Sequence, residues 1–184
     1  MELKFYKMYK NVIEPKAQTE HSACFDIHAH LRGPLIGEDK IPEFKTIRVI
    51  DSNNGLHEVE QDITWHSDHP DAAFNVPPYS RALIPTGLIF DIEPEMSIRI
   101  HPRSGLCWKH GLTIINAEGI IDSDYKEEVF IPVWNTTNVP FRINHGDRIA
   151  QGELFENIQI RPLQVTERPG HTTERTGGFG STGV

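Results

Sequence analysis

Short apolar stretches separated by turn-forming residues dominate this chain, and they constrain its fold more than any other feature. Several of these stretches alternate apolar and polar side chains, and helical spacing is scarce between them. They cover residues 3–6, 82–84, 88–92, 97–100, 112–115, 129–134, 141–143 and 149–155. The 13 prolines suit turns and sheet edges better than helix interiors. The pattern predicts an all-β domain, built as a sandwich or barrel of short strands.

Length, charge and cysteine usage narrow the class of protein. A chain of 184 residues suits one domain with its own core, and a formal net charge of −8 argues against a surface for duplex nucleic acid. We find no apolar run long enough to span a bilayer and no basic-then-apolar leader. Cys24 and Cys107 have no metal-binding or redox spacing. A reducing compartment is therefore expected, namely the cytoplasm, or the host cytoplasm for a viral protein.

Two segments differ from the alternating pattern. Residues 32–78 are rich in charge, histidine and proline, with strand-like pieces at 46–50 and 57–65 around an Asn-Asn-Gly turn. This composition predicts a hairpin-like insertion in the main fold. Residues 169–184 are rich in glycine and predict a flexible tail, which leaves 1–168 as the β domain.

The C-terminal tail has the composition of a phosphate clamp. Arg175 offers a planar fork that fits phosphate, and the backbone around Gly180 can approach an anion closely. Ser181 adds a hydroxyl donor, and Phe179 offers a face for a base or a sugar. The tail therefore predicts closure over a phosphorylated, ring-bearing ligand, with a simple mobile end as the alternative.

A second group of phosphate donors follows the stretch at 97–100. Arg103, Ser104 and the backbone beside Gly105 can all donate to an anion. An ordinary turn at the end of a strand is the alternative, because a single Arg-Ser-Gly sequence is common.

Residues 116–125 combine groups suited to nucleotide chemistry. Asn116 can present a donor and an acceptor to a base edge, and Tyr125 can pack against a sugar. Asp122 lies in a turn between two apolar stretches, where a carboxylate can take a proton from water. A β-hairpin whose polar residues only make turn hydrogen bonds is the alternative.

Two further positions belong with these groups. Gln151 can contact phosphate or a metal-bound water, although 146–151 also fits a surface turn closed by Asp147 and Arg148. Asp26 lies in a small, apolar stretch and needs a cationic partner, for which an arginine is the natural choice. That pair is either purely structural or supports a site. The histidines form no recognisable zinc pattern.

Taken in order, these segments resemble the homotrimeric dUTP diphosphatase (dUTPase) family. Five motifs occur in the family's order between Ser22 and Gly183, and 85–88 is similar to the strand before the second motif. The resemblance implies a distorted jelly-roll-like β-barrel, assembled as a trimer with active sites shared between subunits. It implies hydrolysis of dUTP to dUMP and diphosphate with Mg²⁺, which keeps uracil out of DNA and supplies dUMP for thymidylate synthesis.

The resemblance also assigns roles to residues. Asp122 matches the general base, Tyr125 the residue beneath the deoxyribose, and Asn116 the reader of uracil. Asp26 and Arg148 are supporting residues, and Mg²⁺ is held mainly by substrate phosphates and water rather than by side chains. The implied substrate-binding residues are Arg103, Ser104, Gly105, Asn116, Gly119, Ile120, Ile121, Tyr125, Phe130, Gln151, Arg175, Phe179, Gly180 and Ser181.

Three features depart from the family pattern. Cys24 and Glu127 stand where glycine is usual, and a strained or altered turn after Tyr125 is one consequence to examine. The segment 32–78 is absent from compact members, and either an external hairpin or an arm for a protein partner would account for it.

Two alternative functions stay open. dCTP deaminase has a similar fold and His-Pro-Arg-Ser segment, but it expects a glutamate in the strand after the third motif, and 129–135 contains no acid. A regulatory dUTP-binding protein acting through the insertion is the other alternative. No nucleic acid or membrane partner is expected.

Overall fold

A computed structural model describes residues 2–32, 47–50 and 72–172 of the chain. These residues contain twelve strands and one helix. In chain order they are β1 Lys4–Lys7, β2 Phe25–His28, β3 Val49–Ile50, β4 Ala73–Val76, β5 Arg81–Pro85, β6 Leu88–Asp91, β7 Met96–His101, α1 Ser104–His110, β8 Leu112–Ile114, β9 Gly119–Ile121, β10 Phe130–Asn135, β11 Phe141–Asn144 and β12 Arg148–Glu156. The prediction of an all-β domain is confirmed.

The strands pair antiparallel into four sheets. Two sheets have four strands, in the orders β3-β5-β10-β8 and β2-β12-β7-β9, and two have two strands, β1-β6 and β11-β4. Neighbouring strands in the larger sheets are distant in sequence, as expected for a jelly-roll-like rather than a meander connection. The described strands form separate sheets and do not close into the single barrel that the resemblance implies.

The core lies between the apolar faces of these strands. Alternation within strands sends every second side chain inward, as in β5, where Ala82 and Ile84 are buried and Arg81 is exposed. Ile27, Ile98 and Ile131 are completely buried and bring strands of both four-stranded sheets into one cluster. Burial of such side chains contributes about 1.5–3 kcal/mol each, so this cluster is the main source of stability.

Each of the eight apolar stretches predicted as strands is a strand in the structure, with boundaries that differ by at most a few residues. Two pieces of the segment 32–78 pair with strands outside it, because β3 pairs with β5 in a four-stranded sheet and β4 pairs with β11 in a two-stranded one. The strand-like piece at 57–65 lies outside the described residues. The described residues contain no helix that is long and apolar enough to cross a membrane.

The helix α1 was not predicted from the sequence. It has seven residues and buries none of them, so it leaves no apolar stripe in the sequence. The C-terminal end of α1 could nevertheless be predicted from Gly111. This residue adopts φ 63°, and its N–H donates to carbonyls of the last helical turn. Lys109 and His110 in the last turn complement the helix dipole. A glycine after two basic residues was therefore the available signal.

Candidate active site

Asp26 lies between two arginines on the sheet β2-β12-β7-β9. The Asp26 side chain is 2% exposed, and its Oδ2 accepts a hydrogen bond from Arg148 Nη1 at 3.2 Å. Its Oδ1 makes a looser ion pair with Arg103 Nε at 3.5 Å, beyond good hydrogen-bond length. The predicted arginine partner of Asp26 is confirmed, and two arginines are present instead of one.

This arrangement leaves positive charge available to a ligand. Two guanidinium groups share one carboxylate, and Arg103 Nη1 also donates to the carbonyl of Arg148 at 3.0 Å. The Arg148 side chain is 44% exposed, so part of its donor fork faces solvent. Ser104 and Gly105 begin α1 beside Arg103 and are exposed, with backbone N–H groups that helices leave free at their first turn. The group can therefore bind an anion such as phosphate.

Gln151 lies in register with this group. It is directly opposite Asp26 on β2 and opposite His101 on β7, and its side chain is half-buried. His28 ends β2 opposite Arg148, and burial lowers its pKa, with a raising contribution from Asp26 and lowering ones from the two arginines. Gln151 is therefore placed beside Asp26 on the sheet, and its contact with phosphate stays a prediction.

A cavity of about 240 Å³ adjoins the two arginines. It is lined by Arg103, Leu106, Phe141, Ile143, Asp147, Arg148 and Ile149. Pockets that enclose a drug-sized ligand usually measure about 300–1,000 Å³. This cavity is too small to enclose a nucleoside triphosphate, and the residues of the 116–125 segment do not line it.

The 116–125 segment forms a turn and a strand at the edge of the same sheet. β9 pairs with β7, with Gly119 opposite Ile100 and Ile120 opposite Arg99. The Asn116 side chain folds over Gly119, where an added Cβ atom would lie 3.0 Å from Asn116 Nδ2. Asn116 is exposed, and the Ile120 side chain is 59% exposed. The backbone of this edge strand and the Asn116 amide therefore face outward, where a base edge can reach them.

Asp122 follows β9 directly and is exposed. The Asp122 carbonyl accepts a hydrogen bond from the Tyr125 N–H at 3.2 Å, which closes a turn between the two residues. The Tyr125 hydroxyl donates to the Glu128 carbonyl at 2.9 Å, and 40% of the residue is exposed. Burial raises the Tyr125 pKa, with smaller contributions from Glu127 and Glu128. The hydroxyl of Tyr125 is therefore fixed, while part of the side chain stays exposed.

A buried acid, Glu128, holds the end of the loop that carries Tyr125, and the sequence did not indicate its burial. Glu128 is 9% exposed, and its Oε1 accepts the Gly87 N–H at 2.8 Å. The neighbouring Thr86 hydroxyl donates to the Val129 carbonyl at 2.7 Å. An acid beside the exposed Glu127 gives no sequence signal of burial, because both sit in a polar stretch. These bonds fix the end of the loop that carries Tyr125.

Cys24 and Glu127, which stand where the family usually has glycine, adopt an ordinary backbone conformation. Among the residues that the structure describes, Tyr79 alone of the non-glycine residues has a positive φ, so Cys24 and Glu127 do not need the left-handed region. The strained turn considered after Tyr125 is therefore absent.

Phe130 begins β10 and is 37% exposed.

The sheet β2-β12-β7-β9 thus connects both groups. Asp26 lies on β2, Arg148 and Gln151 lie on β12, and Arg103 precedes α1 just after β7, whereas the 116–125 segment lies at β9. The predicted tail residues Arg175, Phe179, Gly180 and Ser181 lie outside the described residues, as does most of the segment expected to take a protein partner. Within the described residues no three His, Cys, Asp or Glu side chains gather closely enough to hold a metal ion.

Comparison with known sequences identifies a family. The dUTPase family model matches residues 71–183. The chain is 34% identical over 184 residues to a deoxyuridine 5'-triphosphate nucleotidohydrolase of Nautilia profundicola, covering 100% of this chain and 99% of the relative. It is 47% identical over 108 residues to the protein of the same name from Finegoldia magna, covering 58% of this chain and 73% of that relative.

Comparison with solved structures supports the fold. The dUTPase of Staphylococcus bacteriophage 80alpha with dUPNHPP has a TM-score of 0.67 at 21% identity, covering 100% of this chain and 99% of that one. A mutant dUTPase of phage phi11 of S. aureus, with a structural Mg(II) ion, has a TM-score of 0.61 at 17% identity, covering 91% and 98%. The jelly-roll-like fold class is confirmed.

Proposed function

Because the chain belongs to the dUTPase family, we propose that the two groups on its β2-β12-β7-β9 sheet act on one nucleotide. The chain is a dUTP diphosphatase, which hydrolyses dUTP to dUMP and diphosphate. The observation that carries the assignment to these residues is that an exposed carboxylate, Asp122, directly follows β9, while the two arginines paired with Asp26 lie on β12 of the same sheet and just after β7. A base and a phosphate-binding group are the two elements that this reaction needs.

In the proposed mechanism Asp122 accepts a proton from a water molecule. The water oxygen forms a bond to the α-phosphorus, and the bond between that phosphorus and the bridging oxygen of the diphosphate breaks. The leaving diphosphate takes the electron pair of the broken bond. An exposed carboxylate at the end of a strand suits this role, because it can reach a water by a hydrogen bond without distorting the fold.

Base and sugar would be selected by the β9 edge. Asn116, with the backbone of Gly119, Ile120 and Ile121, would pair with the uracil edge. Cytosine would present donors to donors, and a mispaired buried edge costs on the order of 1–3 kcal/mol. The exposed part of Tyr125 would pack beneath the deoxyribose and leave no room for a 2′-hydroxyl. Phe130, which is partly exposed, would complete the substrate-binding surface.

Phosphates would be held at the other end of the sheet. Arg103 would supply its guanidinium group, and Ser104 and Gly105 would supply hydrogen-bond donors at the start of α1. Gln151 lies opposite Asp26 in the neighbouring strand. Asp26 and Arg148 would keep this group in place as supporting residues. The tail residues Arg175, Phe179, Gly180 and Ser181 would complete the closure over the nucleotide.

Magnesium fits this donor set as an ion carried by the substrate. The described residues offer no cage of acids for a divalent ion, and Mg²⁺ commonly keeps several waters and binds substrate phosphates. Gln151 and Asp122 are the residues of this group with oxygen atoms suited to its water shell. When bound, the ion would neutralise phosphate charge, which an acidic chain of net charge −8 otherwise repels.

A trimer with shared sites explains two features. The cavity beside the arginines is too small for the whole nucleotide, so a site completed by another subunit is expected. The C-terminal segment also exposes a row of apolar side chains, with Ile158 87%, Ile160 82% and Leu163 86% exposed. Such a row is typical of a segment that packs against a second copy of the chain.

The test is product analysis with dUTP, dCTP, dTTP and UTP in the presence of Mg²⁺, with diphosphate and ammonia measured in parallel. Diphosphate from dUTP alone supports the proposed site. Ammonia from dCTP would instead favour the deaminase, although β10 contains no acid to serve that reaction. Absence of reaction with every nucleotide would favour the regulatory alternative.

A further inference from the structure

Arg99 occupies the centre of the sheet that carries the proposed site. On β7 the side chains of Ile98 and Ile100 are buried, whereas Arg99 points to the opposite, half-open face. Arg99 is in register with Glu153 of β12 on one side and with Ile120 of β9 on the other. A long side chain at this position can therefore contact elements from both neighbouring strands.

The Arg99 side chain makes two contacts from this position, one with Phe155 and one with Glu118. The Arg99 guanidinium carbon lies 3.3 Å from the centroid of the Phe155 ring, which places the cation over an aromatic face of β12. On the other side Arg99 Nε lies 3.4 Å from Glu118 Oε2, and the two side chains are 33% and 41% exposed. The ring fixes the plane of the guanidinium, so the cation is already oriented when it meets the carboxylate.

Glu118 belongs to the turn that precedes β9. It lies between Asn116, whose amide folds over Gly119, and Gly119 itself. Fixing the Glu118 carboxylate therefore restricts the backbone on which the outward-facing Asn116 amide and the β9 edge depend.

We propose that Arg99 is a positioning residue for base recognition, which clamps the 116–119 turn to β12 through Glu118 and Phe155. This inference rests on the proposed function, because it assigns uracil binding to the same turn. Arg99 acts through Glu118 and takes no part in the transfer of a proton or phosphate. It therefore affects the binding of the base and the choice between bases, and it leaves the chemical step unchanged.

The test compares steady-state kinetics of Arg99→Gln, Glu118→Gln and the double variant with those of the wild type. We expect KM for dUTP to rise about three- to fivefold in each single variant, with kcat within about twofold. That rise corresponds to about 0.7–1 kcal/mol. The preference for dUTP over dCTP should fall by the same factor. Because the two groups act as a pair, the double variant should show no larger effect than Arg99→Gln alone.

Two further variants separate positioning from general stability. Arg99→Lys keeps the charge but loses the planar fork, so its KM should lie between those of the wild type and Arg99→Gln. Lys4→Gln breaks the ion pair of Lys4 with Glu93, which is shorter at 2.7 Å, and Lys4 lies on the separate β1-β6 sheet. It should leave KM unchanged. The dissociation constant for dUMP, measured by calorimetry, gives the same comparison without turnover.

The outcomes are distinguishable. A wild-type protein that does not hydrolyse dUTP contradicts the proposed function, whatever the variants show. If the wild type is active, an unchanged KM in Glu118→Gln overturns the clamp, as do additive effects in the double variant. A loss confined to kcat would also overturn it. Should Arg99→Gln fail to fold, Glu118→Gln still decides, because it removes the pair and keeps the Arg99–Phe155 contact.

Discussion

Arg148 Nη1 donates a hydrogen bond to Asp26 Oδ2 at 3.2 Å and so joins the outermost strand of the sheet, β2, to β12. The carboxylate is 2% exposed, and Arg103 approaches its other oxygen at 3.5 Å. One buried acid therefore orients two arginines that come from distant parts of the chain. The partly exposed forks of these arginines form the group proposed to bind phosphate.

Replacing this acid should weaken both the fold and the site. Asp26→Asn removes the negative charge between two cations, so we expect the free energy of unfolding to fall by about 1–3 kcal/mol. The loss stays moderate because the arginines can turn toward solvent. KM for dUTP should rise about tenfold, since the phosphate donors lose their fixed orientation. Urea unfolding and steady-state kinetics measure the two effects.

The control for Asp26→Asn is an exposed acid with an equally direct ion pair. Asp91 accepts a 2.8 Å hydrogen bond from Lys126, and its side chain is 70% exposed. Asp91→Asn should leave both the free energy of unfolding and KM nearly unaltered, because solvent screens an exposed ion pair. Equal effects of the two substitutions would show that burial between the arginines gives Asp26 no special role.

Asp122→Asn tests the proposed general base. The amide keeps the size and the turn geometry of Asp122 but cannot take a proton from water. We expect kcat to fall by about 10²–10⁴-fold while dUTP binding changes little. Single-turnover rates and equilibrium binding separate these quantities.

Asp124→Asn is the matched control for that substitution, because Asp124 is an exposed acid in the same turn. Its kcat should stay within about twofold of the wild type. If Asp124→Asn were as damaging as Asp122→Asn, the charge of the turn rather than one catalytic carboxylate would account for the loss.

The sequence predicted the strands and the exposed polar side chains of the candidate site better than it predicted the contacts that support them. Alternation along β7 and β12 is a local property, and so is an exposed acid in a turn such as Asp122. The pairing of Asp26 with two arginines could be predicted only as a need for a cation, because sequence does not say which arginine comes near. Glu128 and Arg99 contact segments that are distant in sequence, and the residues next to them in the chain do not indicate those contacts.

Gly87→Ala should disrupt the turn that fixes the loop after Tyr125. Gly87 has φ +69°, and a Cβ atom there would lie 2.5 Å from Val12 Cγ2 and 3.2 Å from the His30 ring. Both the left-handed backbone and the buried contacts oppose a side chain, so we expect a loss of about 2–4 kcal/mol in unfolding free energy. Thermal unfolding measures it.

Gly105→Ala provides the contrast for Gly87. A Cβ atom at Gly105 would meet no atom within 4 Å, and alanine is favoured over glycine inside a helix by up to about 1 kcal/mol. Stability should therefore be unchanged or slightly higher. The backbone N–H proposed to meet phosphate remains, so kcat/KM should fall less than about threefold. A large fall in stability at Gly105 would mean that the helix packs more tightly than described.

The folded state should lose stability in mild acid because of His145. Its Nδ1 accepts the Leu31 N–H at 3.1 Å, which requires an unprotonated nitrogen. Burial lowers the His145 pKa to about 4, with a further contribution from Arg32, against an ordinary value of 6.5. Between these values the unfolded chain binds more protons than the folded one, so stability is fully present above pH 6.5 and falls as the pH drops toward 4.

Urea unfolding at several pH values tests this prediction, with His145→Gln as the variant. We expect His145 to account for about 1–2 kcal/mol of the decline, because the ring is only half-buried and solvent screens part of the effect. His145→Gln removes the titrating group, so its stability curve should be flatter over this range, although lower at neutral pH. His171→Gln, an exposed histidine outside the sheets, should follow the wild-type curve. A His145→Gln curve as steep as that of the wild type would assign the acid sensitivity to other groups.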